Sequence, residues 1–158
     1  MPRSERYGDA VNDLVLLLNV VATWTMVGVI WFVQIVHYPL LSVVPVESAA
    51  GVAVEHQKRT GWVVMAPMTV EGVTTLLLLG MVPSGVARFV PWLAGIPLAV
   101  ALGATVLLSV PRHARMAASP DPLVGRELVS TNWVRTVAWT LRGVVVAGML
   151  LATLAERS

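Results

Sequence analysis

The chain of 158 residues contains no cysteine. That absence excludes disulfides, thiolate zinc sites, iron–sulfur clusters and covalently attached c-type haem. Charge is also scarce, because Asp, Glu, Lys and Arg make up only 13% of the residues. The formal net charge of +2 comes from scattered basic residues and not from a basic block. A phosphate-binding surface needs clustered positive charge, so we expect no nucleic-acid partner.

Apolar residues predominate in place of charged ones. They make up 56% of the chain, and the mean hydropathy is +0.76. Four stretches, residues 14–36, 61–82, 89–111 and 133–154, are each long enough to cross a hydrocarbon core about 30 Å thick. The first stretch is too long for the apolar part of a signal peptide, so we interpret it as a retained helix. We therefore predict an integral membrane protein, located as a multi-pass protein in the cell (inner) membrane.

The connections between these spans predict the topology. Pro83, Ser84 and Gly85 form a very short link, typical of an antiparallel hairpin between the second and third spans. The other connections, roughly residues 39–60 and 112–132, look longer and polar, and helix-breaking residues from Ser119 to Gly125 interrupt the second of them. No internal repeat is present. We predict one all-α domain, residues 1–158, folded as a four-helix transmembrane bundle with both termini on the same side.

The distribution of the basic residues predicts the orientation of the bundle in the membrane. Six would lie with the two polar connections and four with the termini, which by the positive-inside rule places the polar connections in the cytoplasm. The first group is Lys58, Arg59, Arg112, Arg115, Arg126 and Arg135, and the second is Arg3, Arg6, Arg88 and Arg157. Bilayer lipid is the expected partner, and a homo-oligomer is left open because Gly28, Gly143 and Gly148 form no GxxxG pair.

Glu71 and Arg142 each stand alone near the middle of an apolar span. Each lies nine or ten residues from its span's start, about 15 Å deep at about 1.5 Å per residue. A charge at that depth is costly and marks either a functional site or a buried pair. Equal depth and opposite sign predict that the two side chains pair.

Helical phase predicts what surrounds the pair. At about 100° per residue, polar residues of the second and fourth spans form one stripe on each helix, leading from the polar connections to the buried charge. The first span contributes a similar sector that excludes His37. The predicted site is thus a polar funnel that ends at the pair. Its members are Trp24, Trp31, Gln34, Tyr38, His56, Arg59, Val63, Pro67, Glu71, Asn132, Arg135, Trp139 and Arg142.

The funnel suits acid–base chemistry on a hydrophobic molecule. Glu71 would act as a general base, and Arg142 and Arg135 would stabilise the resulting oxyanion. The expected substrate-binding residues are Trp31, Gln34, Tyr38, Arg59, Asn132 and Trp139. Three alternatives stay open. The pair can serve only to fix helix register, the aromatic residues can serve packing, and Asn132 can cap the last helix.

The histidines raise the question of a metal. His37, His56 and His113 would lie at one level near the surface, and three imidazoles can bind zinc or copper. Their spacing matches no recognised signature, and Glu71 is about 22 Å from His56 along one helix. We therefore predict no metal, with these three residues as the only candidates. Haem is not expected, because no histidine lies inside a predicted span.

Four segments carry a resemblance to known proteins: residues 31–41 (WFVQIVHYPLL), 56–71 (HQKRTGWVVMAPMTVE), 110–115 (VPRHAR) and 131–142 (TNWVRTVAWTLR). Together they resemble a group of small four-span bacterial membrane proteins, more distantly similar to the anthrone-oxygenase-like family. Asn132, Arg135 and Thr136 match that family's pattern at the start of the last helix, whereas Trp133 follows the asparagine instead of preceding it. The resemblance implies a cofactor-poor membrane oxygenase acting on a hydrophobic aromatic substrate.

Two classes of function therefore remain. One is a membrane-embedded oxidoreductase or oxygenase-like enzyme for a hydrophobic small molecule or lipid, and it requires a pocket beside Glu71. The alternative is a non-enzymatic transporter subunit or a membrane assembly or scaffold protein. A carrier would need a polar path continuing beyond Glu71, which the apolar residues 76–79 and 144–146 oppose.

Overall fold

A computed structural model describes residues 3–41, 43–119 and 121–158 of the chain. Those residues form four long helices and no strand, which confirms the predicted all-α bundle. Helix α1 comprises Arg3–Phe32, a π-helical turn at Val33–His37, and Tyr38–Leu41. Helix α2 is Val46–Gly80. Helix α3 comprises Val90–Ala104, a π-helical turn at Thr105–Ser109, and Val110–Ala118, and α4 is Pro122–Glu156.

Each helix is long and apolar enough to cross a membrane, as the sequence predicts. The helices are longer than the predicted spans, because the polar residues beside those spans continue the helix. The two long connections expected at residues 39–60 and 112–132 are therefore mostly helical, and that expectation is wrong. The break after α3 does fall at Ser119, where the backbone becomes extended, but Gly125 is helical. Pro120 lies outside the described residues.

Residues 81–89 connect α2 and α3 and define what we call the hairpin end of the bundle. Gly85 adopts a positive φ of 76°, and a Cβ built on it would lie 2.7 Å from the carbonyl oxygen of Ala152. Only glycine fits such a turn pressed against α4. Arg157 forms an ion pair with Asp13. The hairpin, the start of α1 and the end of α4 therefore lie together.

The core alternates between apolar and polar layers along the bundle axis. On α1, apolar Val15 and Leu16 are followed by polar Asn19 and Thr23, then apolar residues 26–30, and then Gln34. The same alternation occurs on α4. Three apolar layers result, one at the hairpin end, one in the middle around Trp139, and one at the opposite end around Leu128. The buried polar groups lie between these layers, where packing fixes their positions.

Many large apolar side chains point away from the core, including Phe32, Val63, Leu76 and Leu107. Such a surface is unusual for a water-soluble monomer but matches a helix bundle surrounded by hydrocarbon. The exposed apolar faces therefore indicate contact with the lipid bilayer.

Two π-helical turns lie at similar depth on α1 and α3. Each ends two residues before a proline, Pro39 or Pro111. A proline lacks an N–H and its ring collides with the carbonyl four residues earlier, so a widened turn in front of it relieves that contact. Proline alone is not sufficient, because the helix stays α-helical before Pro67 and Pro97. Each π turn inserts one extra residue and so changes the direction of the side chains around it.

Candidate functional site

Two groups of buried polar side chains lie between the apolar layers. The first, here the histidine cluster, consists of His37, Tyr38, His56, His113 and Arg135. The second, here the Glu71–Arg142 network, lies nearer the hairpin end and consists of Asn19, Thr23, Glu71, Thr74, Thr75, Trp139 and Arg142. The residue types are similar, but the two groups differ in how fully their polar atoms are paired.

Glu71 and Arg142 form the ion pair that their matched depth indicates. Arg142 Nε donates to Glu71 Oε1 across 2.7 Å, and both side chains are 0% exposed. Glu71 also accepts hydrogen bonds from Thr23 Oγ1 at 2.9 Å and from Trp139 Nε1 at 3.1 Å. Three donors thus surround one carboxylate, which compensates for much of the cost of burying its charge.

The remaining donors of Arg142 contact the other helices. Nη1 donates to the carbonyl oxygen of Ala94 on α3 at 2.5 Å, and Nη2 donates to Asn19 Oδ1 on α1 at 3.1 Å and to Thr75 Oγ1 on α2 at 2.6 Å. One guanidinium on α4 therefore binds all three other helices. Such a contact fixes the depth and rotation of each helix relative to the others.

The space beside Arg142 is filled, whereas Thr75 also borders an apolar cavity of about 450 Å³ between α2 and α3. The gap lined by Asn19, Thr75, Pro91, Ala94 and Arg142 is too small for a water molecule. Toward the hairpin end, an apolar layer that includes Leu16, Leu78 and Val146 follows directly. A substrate of Glu71 needs room on this side, and a carrier needs a polar route through it. This packing favours the alternative in which Glu71 and Arg142 fix helix register.

The histidine cluster brings together residues from α1, α2 and α3. The rings of His37 and His56 stack with centroids 4.3 Å apart, and those of His56 and His113 lie 5.0 Å apart. The hydroxyl of Tyr38 lies 3.0 Å from His113 Nε2. All three histidines lie on helices that are long and apolar enough to cross a membrane, beyond the ends of the four apolar stretches predicted from the sequence.

Arg135 supplies the positive charge of the cluster from α4. Its Nη1 donates to Ser109 Oγ at 3.0 Å, to Asn132 Oδ1 at 3.2 Å and to the Tyr38 hydroxyl at 3.4 Å. All three acceptors are neutral, and among the described residues Arg135 forms no ion pair. A partly buried guanidinium without a counter-charge is suited to an anionic or strongly polar group.

Three buried nitrogen atoms of the histidine cluster have no hydrogen-bond partner within the described part of the chain. They are His37 Nε2, His113 Nδ1 and Arg135 Nε. Buried polar atoms in folded proteins are nearly always paired, because an unpaired one costs about 1–3 kcal/mol. Three in one cluster leave hydrogen-bonding capacity that a ligand or an ordered water can satisfy.

Trp139 joins the two groups. Its ring lies 5.5 Å from the guanidinium carbon of Arg135, in cation–π range, and its indole nitrogen donates to Glu71. A continuous line of side-chain contacts therefore runs from the histidine cluster to the ion pair, and its lower part is packed with side chains.

Gln34 and Asn132 support the histidine cluster from the side. Asn132 Nδ2 donates to Gln34 Oε1 at 2.9 Å, and Thr136 Oγ1 donates to the same oxygen at 3.3 Å. Gln34 in turn donates to the carbonyl of Val129. Asn132 lies well inside α4, so the alternative in which it caps that helix is wrong.

Four residues predicted to line the funnel are exposed instead, namely Trp24, Trp31, Arg59 and Val63. Trp31 is on the outer face, where its indole donates to Thr140 and its ring meets Trp133 edge to face at 5.8 Å. Arg59 is largely exposed and pairs with Glu55 across 2.6 Å. A uniform angle of about 100° per residue cannot describe α1, because the π turn breaks that phase. The extra residue of the π turn also directs His37 into the histidine cluster, whereas a uniform angle of about 100° per residue places it outside the predicted site.

The sequence-based site also lacked several residues that the structure includes. Asn19, Thr23, Thr75 and Ser109 bind members of the two groups, and Thr136 binds Gln34 and Asn132 beside the histidine cluster. Uncharged side chains carry little signal in an apolar span, because serine and threonine also bond their own helix backbone. These residues lie at the same depth in the bundle as Glu71 or Arg135, and that shared depth is the sequence signal that would have identified them.

A cleft between α1 and α2 leads from the lipid-facing surface to the histidine cluster. Its volume is about 350 Å³, and its lining is mostly apolar or glycine, with His37, Arg59 and Thr60 as the polar members. Thr60 Oγ1 lies 3.1 Å from His56 Nδ1, so the cleft wall contacts the cluster directly. Small-molecule sites usually measure about 300–1,000 Å³, and this cleft lies within that range.

The histidines are not arranged as ligands of one metal ion. His37 and His56 stack nearly parallel, at 23°, so their nitrogens do not converge on one point. In the part of the chain that the structure describes, no group of three His, Asp or Glu side chains could hold a metal ion. The chemistry available at this site is that of imidazole, phenol and guanidinium groups.

Comparison with known proteins adds no relative. No family model, no curated protein and no solved structure matches the chain. The geometry of the two polar groups therefore carries the functional argument.

Proposed function

We propose that this protein is a membrane-embedded enzyme that acts on a hydrophobic substrate at the histidine cluster. The observation that carries the proposal is the set of three buried, unpartnered nitrogens on His37, His113 and Arg135. A purely structural cluster pairs its polar atoms, as the Glu71–Arg142 network does, whereas a ligand site keeps donors and acceptors for its ligand. In this proposal the reaction takes place at the histidines, whereas the sequence alone suggested Glu71.

The resemblance of residues 131–142 favours oxygenase-type chemistry as the reaction class. His37 accepts a proton from a CH₂ group that lies between aryl rings and is acidified by a ketone across the ring, and the electron pair stays on the carbon. The charge spreads to the ketone oxygen, where Arg135 stabilises it. Dioxygen then forms a bond to that carbon, and the resulting hydroperoxide loses water. The CH₂ group and O₂ give a carbonyl and one water, so atoms and electrons balance.

The Glu71–Arg142 network has a supporting role in this proposal. It fixes the four helices, and through Trp139 it fixes the position of Arg135. Removal of Glu71 should therefore affect the stability of the fold more than the chemical step in molecules that remain folded.

The test uses anthrone, a tricyclic ketone with an acidic CH₂ group, as the probe substrate. Oxygen uptake and anthraquinone formation are measured with purified protein in lipid nanodiscs, against protein-free nanodiscs. We expect His37→Ala and Arg135→Gln to lower the rate by at least about 10²-fold, in line with the loss of an acid–base group. The matched control is Arg115→Gln, at an exposed arginine that pairs with Glu127. A wild-type rate equal to that of protein-free nanodiscs overturns the oxygenase proposal and favours the non-enzymatic subunit or scaffold.

A further inference from the structure

The cleft between α1 and α2 opens sideways, toward the bilayer. Phe32 on α1 and Val63 on α2 flank it, and both are more than half exposed on the lipid-facing surface. Between them Gly28 leaves open space, because a Cβ built there meets no atom within 4 Å. A molecule dissolved in hydrocarbon thus reaches this cleft without passing through water.

The inner part of the cleft is polar and touches the histidine cluster in two places. His37 is itself part of the lining and stacks on His56, and Thr60 lies within hydrogen-bond distance of His56. His37 Nε2 is one of the buried atoms without a partner. The cleft therefore combines apolar walls with one unused hydrogen-bonding position.

Arg59 lies at the rim, where its only ion pair among the described residues is the exposed one with Glu55. Exposed pairs of this kind contribute little stability, so Arg59 can exchange Glu55 for another anionic oxygen at little cost. The cleft thus offers an imidazole contact inside and a positive charge at its mouth.

We propose that an apolar molecule with one ionisable hydroxyl group, such as an alkylphenol, enters the cleft laterally from the bilayer and binds with its hydroxyl against His37. The inference rests on the proposed function in that this molecule, like the proposed substrate, is an apolar aromatic compound that presents one oxygen to the histidine cluster. It goes further by stating the route, the wall residues and the polar group that is recognised. Binding itself does not depend on turnover.

The experiment is photocrosslinking with 4-octylphenol that carries a diazirine in its alkyl chain, using the full chain in nanodiscs. Octylbenzene with the same diazirine is the matched probe without the hydroxyl. Mass spectrometry locates the labelled residues. We expect the phenol probe to label residues 28–33 and 59–63 at least about fivefold more than octylbenzene does, because hydrogen bonds in an apolar site discriminate strongly. Equal labelling by the two probes overturns the inference.

The matched variants are Gly28→Phe, which fills the cleft, and Gly148→Phe, at another exposed glycine with open space around it. We expect Gly28→Phe to abolish labelling of residues 59–63 and Gly148→Phe to leave it unchanged. If Gly28→Phe does not fold, as judged by size-exclusion chromatography, Val63→Trp closes the cleft from the opposite wall. Undiminished labelling in the folded cleft variant contradicts the proposed entrance.

The outcomes separate the two proposals. Specific labelling of the cleft without turnover of anthrone supports the binding site and rejects the oxygenase. Turnover that persists in Gly28→Phe rejects the cleft as the entrance and leaves the enzyme in place.

Discussion

Trp139 donates its indole N–H to Glu71 Oε2 across 3.1 Å, and both side chains are fully buried. The same indole ring lies 5.5 Å from the guanidinium carbon of Arg135. One side chain thus connects a closed network that holds the helices to a cluster that keeps unpaired nitrogens. We therefore expect Trp139 to affect both the stability of the fold and the proposed reaction.

The Glu71–Arg142 pair predicts a non-additive mutant cycle. Glu71→Gln or Arg142→Met alone leaves the other group buried without its counter-charge, which costs about 3–5 kcal/mol. We expect the double variant to lose less free energy of unfolding than the sum of the two single losses, as measured by SDS denaturation of the detergent-solubilised protein. The matched cycle is Asp13→Asn with Arg157→Gln, at a partly exposed pair. Additive losses at Glu71 and Arg142 would argue against direct coupling.

Trp139→Phe keeps an aromatic ring but removes the N–H that Glu71 accepts. A buried charged acceptor that loses a donor costs about 1–3 kcal/mol, so we expect the free energy of unfolding to fall by that amount. Trp133→Phe is the control, because Trp133 is substantially exposed. Equal losses at both positions would show that ring size, and not the hydrogen bond, determines the effect.

Pro39→Ala and Pro111→Ala test the origin of the π turns. Alanine restores an N–H and removes the ring, so we expect the widened turn to revert to α-helix and His37 or His113 to rotate away from the cluster. The oxygenase rate should fall at least about tenfold, while stability holds or rises, since helix interiors favour Ala over Pro by about 3 kcal/mol. Pro97→Ala is the control, because no π turn precedes it. A high-resolution structure of each variant shows directly whether the turn persists.

Gly85→Ala should destabilise the hairpin end. The residue has φ +76°, and the added Cβ would lie 2.7 Å from the Ala152 carbonyl. We expect a loss of more than about 1 kcal/mol, measured as a lower denaturation midpoint. Gly51→Ala, in an exposed and open position of α2, should instead be neutral or stabilise by up to about 1 kcal/mol. A neutral Gly85→Ala would contradict the tight contact between the hairpin and α4.

Part of this architecture followed directly from sequence. The four spans, the hairpin at residues 83–85 and the Glu71–Arg142 pair each depend on hydropathy, turn chemistry or the cost of one buried charge. The helix ends did not follow, because polar residues beyond an apolar run continue a helix as readily as they end it. The site was found only in part. The helical phase correctly predicts the contacts among Tyr38, Arg135, Gln34 and Asn132. It is wrong for Trp31, which lies outside the site, and for His37, which lies within it.

The sequence by itself determined that this is a helical membrane bundle with an ion pair at its centre, because hydrocarbon tolerates few other solutions for such a composition. Tertiary structure decided which polar residues are paired and which are left over. Arg142 reaches three helices and leaves no space, whereas two π turns redirect α1 and α3 and bring three histidines together with unpaired nitrogens. Hydrogen-bond satisfaction depends on distances of a few tenths of an ångström between distant segments, and no local pattern encodes those distances.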